Sequence, residues 1–256
     1  MVIAVLNSKG GVGKTTVTVN LAAALASPKR RVLLVDLDSH GSASLWLGVP
    51  PDHLRPSAAS CLLEKYPILK AIRHTSTLNL DVLPGSIELA NADVALCSVR
   101  GRETMLRRML ERLDSHYELI MVDCPPGLSL LNVNAMVAAD GLIVPVSPEP
   151  LAAQALETLL ATVERVRSRM TARGRMLGIL LNAVDPQRRY GREIADRLRA
   201  QHRDQVFHTE IRLTSALAEA SASHQTIAAA AAKSPSVDAF RRLAGEVLHR
   251  LPAIRH

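Results

Sequence analysis

Apolar residues fall along this chain in short unbroken runs of strand length, separated by stretches in which they recur at helical spacing. Residues 2–6, VIAVL, form the first run; the glycine-rich segment NSKGGVGKTT follows at 7–16, and 15–26 has helical composition. Together these predict strand, loop, helix. RVLLVDLD at 31–38 is a second buried strand ending in two acids, and 39–76, which contains GVPPDHLRP, reads as a connecting region with short helices. LNLDVLPGS at 78–86 is a third strand; 102–113 is a helix, and YELIMVDCPPG at 117–127 is a strand stopped by two prolines. GLIVPVS at 141–147 is a further strand. It is followed by a long helix over 151–169 with Leu156, Leu159, Leu160 and Val163 on one face. A strand at 176–184, a helix at 191–200, an edge strand at 205–211 and a last helix at 237–251 complete the pattern. In the last helix Val237, Phe240, Ala244, Val247, Leu248 and Leu251 make a stripe expected to pack into the core.

Strands apolar on both faces, alternating with helices, predict an α/β fold: a doubly wound, mostly parallel sheet flanked by helices, joined by right-handed crossovers. With 256 residues and no internal repeat, the expectation is one domain over residues 1–256. Because the sheet begins at Val2, no separate DNA-reading domain is expected before it.

Composition adds three constraints. Aromatic residues are only 2% of the chain, so the core must be aliphatic. The formal net charge is +7, which fits a polyanion partner and equally fits the arginine-rich, alanine-rich usage of a GC-rich genome. Cys61, Cys97 and Cys124 are scattered, with no C-x-x-C pair, and a reducing cytoplasm is the natural compartment. The apolar N-terminus runs straight into the glycine segment, so it reads as a core strand and not as a signal peptide, and no run reaches the length of a membrane span.

The glycine segment carries the chemistry. Gly13, Lys14 and Thr15 fit the end of the phosphate-loop pattern G-x-x-x-x-G-K-[ST], with Ser8 where the opening glycine belongs and an additional lysine, Lys9, before the glycines. Gly10, Gly11 and Gly13 allow positive φ and close approach of backbone N–H donors to phosphate oxygens, and the following helix adds its positive end. Lys14 is placed for the β and γ phosphates and the Thr15 hydroxyl for Mg²⁺. Asp123, closing its own apolar strand, stands where an acid would order the magnesium water shell.

With these residues in view, the segment Lys9, Gly10, Gly11, Val12, Gly13, Lys14, Thr15 and Thr16 resembles the deviant Walker A motif of the ParA/MinD family of P-loop ATPases, which the extra lysine defines. VLLVDLDSHGSAS at 32–44 and LIMVDCPPGLSLLNVNAMVAAD at 119–140 resemble that family's second motif and its Walker B segment, and the similarity runs on through VPVSPEPLAAQALETLL to EASASHQTI and AFRRLAGEVL. The resemblance implies ATP and Mg²⁺ as cofactors and slow, partner-stimulated hydrolysis. It implies that Lys9 touches the triphosphate held by a second chain in an ATP-sandwich homodimer. It makes Lys9, Lys14 and Asp38 the catalytic residues, with Asp38 activating the attacking water, and Thr15, Asp36 and Asp123 the magnesium residues. Asn182 falls where the family has an adenine contact, flanked by Ile211 and Arg212, and Glu149 matches a glutamate near the dimer interface that meets the ribose or Lys9. Ser39 and His40 stand where the family commonly has Pro and Gln.

The function so implied is a ParA-type switch, cytoplasmic and nucleoid-associated. Its dimer binds DNA without sequence preference and positions a chromosome, plasmid or protein assembly such as a carboxysome with a ParB-like or other cargo adaptor. Arg188, Arg189, Arg192, Arg212, Arg241 and Arg242 are the candidate phosphate contacts. Thr214 and Ala216 lie where relatives often carry DNA-contacting basic residues. Two rivals remain. One is a MinD-like membrane-surface ATPase regulating division-site placement, which needs a detachable amphipathic tail; here only PAIRH follows the last helix, so no stable membrane association is expected. The other is an iron–sulfur reductase using Cys97 and Cys124.

Overall fold

A computed structural model describes residues 1–170, 172 and 174–251. Seven strands, β1 (Val2–Val5), β2 (Val32–Asp36), β3 (Arg73–His74), β4 (Leu80–Leu83), β5 (Leu119–Asp123), β6 (Gly141–Val146) and β7 (Arg175–Leu181), form one sheet in the order β3-β4-β2-β5-β1-β6-β7. All neighbours are parallel except β3, which pairs antiparallel with β4.

Alternation along each strand separates two apolar layers, because successive side chains leave a strand on opposite faces. Ile3, Val5, Val32, Leu34, Leu119 and Met121 face one layer; Ala4, Leu6, Leu33, Val35, Ile120 and Val122 face the other. The first layer is covered by α1 (Lys14–Leu25) and α2 (Ser42–Trp46), then by elements near the end of the chain. The second is covered by α3 (Ala58–Leu63), α4 (Ile68–Ala71), α5 (Ala92–Leu96), α6 (Met105–Leu110), α7 (Leu130–Ala138), α8 (Ala152–Arg169) and α9 (Arg189–His202). The remaining helices, α10 (Ser215–Ala222), α11 (Ile227–Ala230) and α12 (Pro235–Arg250), return the chain to the α1 side. As the stripe predicts, Val237, Phe240, Ala244, Val247 and Leu251 are buried there.

Three expectations are corrected. The 205–211 segment is not a strand; it meets β7 through the isolated bridge Ile179–Val206 and through the Phe207 and Ile211 N–H groups, which donate to the Ile179 and Leu181 carbonyls. The reason is a competing acceptor: the Glu246 carboxylate on α12 takes the N–H groups of His208 and Thr209, both at 2.8 Å. The 102–113 helix is broken into α6 and two flanking 3₁₀ turns, Arg102–Thr104 and Glu111–Leu113. The connecting region before 76 contains β3, a strand too short to leave an apolar signature.

Candidate nucleotide site

The carboxyl ends of β1, β2, β5, β6 and β7 converge on the loop between β1 and α1, at the kind of strand-end crevice where open α/β sheets bind ligands. Gly11 and Gly13 take positive φ, 74° and 83°, whereas Gly10 is absent from that conformation. Gly13 is constrained twice, because a Cβ there would lie 2.2 Å from Nδ2 of Asn182. That amide donates to the Val12 carbonyl at 2.7 Å, tying the end of β7 to the loop. Helix α1 opens with no side-chain cap and no acidic residue in its first turn, so its leading N–H groups are left for an outside anion.

The two lysines are placed differently. Lys14 is 7% exposed and its ammonium donates to the Lys9 carbonyl at 3.1 Å. Burial pulls its pKa down, while the nearby Asp123 charge opposes the shift. Lys9 lies on the rim, with its side chain 42% exposed, and meets Glu149 at 2.5 Å. This hydrogen bond holds the Glu149 carboxyl below its ordinary range.

Opposite the loop, Asp36 and Asp123 are register neighbours at the ends of β2 and β5, both fully buried. By strand parity they point toward the α1 layer, where Thr15 Oγ1 donates to one Asp123 oxygen at 2.7 Å and Thr18 Oγ1 to the other at 2.9 Å. Asp36 accepts from the Ser44 amide and hydroxyl, at 2.9 and 2.7 Å, and from the Asp38 amide at 3.0 Å. Gly85 leaves room for this, since a Cβ there would fall 2.9 Å from the Asp36 carboxylate. Burial raises both carboxyl pKa values, and the Asp36 charge raises that of Asp123 further. Two buried carboxyls side by side at the strand ends fit a divalent ion whose remaining ligands would be phosphate oxygens and water, the usual arrangement for Mg²⁺. Among the described residues no cluster of three or more acidic, histidine or cysteine side chains forms a metal cage.

A test follows from the sign of this shift. A carboxyl raised above its unfolded value stabilises the fold below the unfolded pKa, and that contribution is lost as pH rises through the folded pKa. Asp123→Asn mimics the neutral form and keeps partners for both threonine hydroxyls. In nucleotide-free protein at mildly alkaline pH it is expected to melt at least about 2 °C higher than the parent, while magnesium-dependent hydrolysis is lost. Thermal scans and phosphate release measure the two effects.

Beside Gly13 a cavity of 320 Å³ is lined by Gly11, Thr16, Trp46, Asn182, Arg212, Leu213, Thr214 and Leu217 among others. Asn182 and Arg212 therefore meet at one place. Ile211 does not join them: it is 1% exposed in the core layer, and its N–H bonds Leu181. Leu213, Thr214 and Leu217 supply the wall instead, and sequence reasoning missed them. It also missed Thr18 and Ser44, although Thr18 stands one turn after Lys14 and so on the same helix face.

The six candidate arginines differ in their local partners. Arg188 pairs with Asp185 at 3.2 Å, Arg189 with Glu193 at 3.0 Å, and Arg241 with Asp238 at 3.1 Å, while Arg192 bonds the Pro186 carbonyl. Arg212 and Arg242 line one large cleft with Pro186; Arg241 lines a different one with Asn20. Cys97 is exposed and Cys124 is buried, where burial pushes its thiol up and away from the thiolate a cluster ligand needs.

Comparison with known proteins agrees with this geometry. A family model described as an AAA domain matches residues 1–175. The sporulation initiation inhibitor protein Soj of Bacillus subtilis is 36% identical over 246 residues, covering 96% of this chain and 97% of that protein. The chromosome-partitioning ATPase Soj of Thermus thermophilus is 41% identical over 249 residues, covering 97% and 96%. Among solved structures, cobyrinic acid a,c-diamide synthase from Mycobacterium smegmatis with bound ADP and magnesium superposes with a TM-score of 0.85 at 32% identity, over 98% of this chain and 95% of that one. With its second lysine, its paired strand-end acids and relatives matched end to end, the chain belongs to the ParA/MinD family of deviant Walker A ATPases.

Proposed function

We propose that this ATPase is a dimerising switch: with ATP and Mg²⁺ two chains close face to face, bind DNA without reading its sequence, and part again when an adaptor on a cargo stimulates hydrolysis. The observation that carries the reading is the position of Lys9. Lys14 already occupies the interior of its own loop, whereas Lys9 stands outside it on an exposed ion pair worth about 1 kcal/mol or less. A cation held so loosely at the rim is available to a triphosphate on a second chain.

In this reading the N-terminal amides of α1, Gly11, Gly13 and Lys14 hold the phosphates, and Thr15, Asp36 and Asp123 would hold a magnesium ion and its water shell, which when bound would supply charge neutralisation at the phosphates. Asp38 positions the attacking water, and Asn182, Arg212 and Leu213 flank the base. The name of the Thermus relative, a chromosome-partitioning ATPase, supports a partitioning or positioning role, and such a role would put the protein in the cytoplasm, on the nucleoid. The apolar stripe of α12 is used in packing, which favours DNA over a lipid surface.

DNA binding is the direct test. Four of the six candidate arginines, Arg188, Arg189, Arg212 and Arg241, sit in local pairs that a phosphate can displace, and only the dimer doubles their number. Binding to random-sequence duplex should require ATP. If about four phosphates are neutralised, it should fall roughly 100-fold between about 50 and about 200 mM salt. Equal binding by nucleotide-free protein refutes the switch, and ATP-dependent sedimentation with liposomes in place of DNA binding moves the protein to the membrane-surface class.

A further inference from the structure

Past the end of β2 the chain turns sharply: the Gly41 amide bonds the Asp38 carbonyl at 3.0 Å. Within this turn the Asp38 carboxylate is gripped from one side. Its Oδ1 accepts the backbone N–H of His40 at 3.0 Å, and the His40 ring Nδ1 lies 2.8 Å from the same oxygen. The Asp38 side chain is 14% exposed and that of His40 79%, so the ring lies on the solvent side of the acid. Among the described residues no hydrogen bond is made to Asp38 Oδ2. Both residues line a small cleft whose other walls include Pro125, Pro126 and Ser129, which follow Asp123 in the chain.

A carboxylate only accepts, so the hydrogen in the ring contact belongs to Nδ1. Two donors on Oδ1 fix the rotation of the carboxylate, which the backbone bond alone cannot do, and leave Oδ2 as the oxygen that faces a water. We infer that His40 is a positioning residue for hydrolysis, acting through Asp38 by holding its carboxylate in the orientation that presents Oδ2 to the attacking water. The inference rests on the reading of Asp38 as the residue that positions this water.

The experiment compares His40→Ala, His40→Gln and Asp38→Ala. His40→Ala keeps the backbone bond and removes only the ring. Its kcat is expected to fall roughly tenfold, with KM and nucleotide affinity within about twofold of the parent. His40→Gln, whose amide has a donor of similar reach, is expected to recover most of the loss. In nucleotide-free protein, long-range proton–nitrogen correlation should find the neutral His40 ring protonated on Nδ1, and Asp38→Ala should abolish that preference. Parental kcat in His40→Ala, failure of His40→Gln to recover activity, or a ring protonated on Nε2 overturns the inference. The two readings separate cleanly: parental turnover in Asp38→Ala removes both, whereas an inactive Asp38→Ala beside a fully active His40→Ala removes only the role of His40.

Discussion

Lys14→Ala is expected to bind ATP at least about 100-fold more weakly than the parent chain, because charge-assisted hydrogen bonds to phosphate are the strong ones and Lys14 is the buried cation of the loop. The Lys14 side chain is packed under the loop, and its ammonium already bonds the Lys9 carbonyl from inside. Removing it leaves the phosphate position flanked by Asp36 and Asp123, two buried acids with raised pKa values. The ammonium that offsets the Asp123 charge beside the loop is then gone. Equilibrium binding of a fluorescent ATP analogue measures the loss. Affinity within about threefold of the parent would place the phosphate contact elsewhere.

Lys9→Ala should separate binding from assembly. The loop glycines, the α1 amides and Lys14 are untouched, so ATP affinity is expected within about threefold of the parent. Dimerisation with a slowly hydrolysed analogue should be lost, and DNA binding with it. Glu149 loses its partner in this variant, but the pair is exposed on both sides and its removal should leave the melting temperature within about 1 °C. Sedimentation and ATP binding on the same preparation decide the matter. Parental dimerisation would mean that Lys9 serves only its own chain, as a rim lysine paired with Glu149. Weak ATP binding by a monomer would make it an ordinary phosphate-loop lysine.

Much of the site was legible from residue order because its central parts are contiguous. A strand, a glycine turn and a helix start follow one another between Val2 and Leu25, and the donors that cradle a phosphate come from that one stretch. Asp36 and Asp123 were also readable, each as an acid closing an apolar strand. The fold class came from the same source, since strands buried on both faces leave unbroken apolar runs that only a covered parallel sheet explains. The elements that escaped include β3, of two residues, and the helices α5, α7 and α10, which no period along the chain had marked out.

What the sequence by itself determined, then, is the class of fold, the phosphate loop and the strand-end acids, all of which depend on local period or on neighbours in the chain. Tertiary structure decided the rest. Whether 205–211 becomes a strand depended on Glu246, which reaches from α12 to take two of its amides. Which residues wall the cavity beside Gly13 depended on how the chain returns after β7, which buries Ile211 and brings Leu213, Thr214 and Leu217 toward Asn182. In each case the deciding partner is a hydrogen-bond acceptor or a packing neighbour on another element, and no pattern along the chain records it.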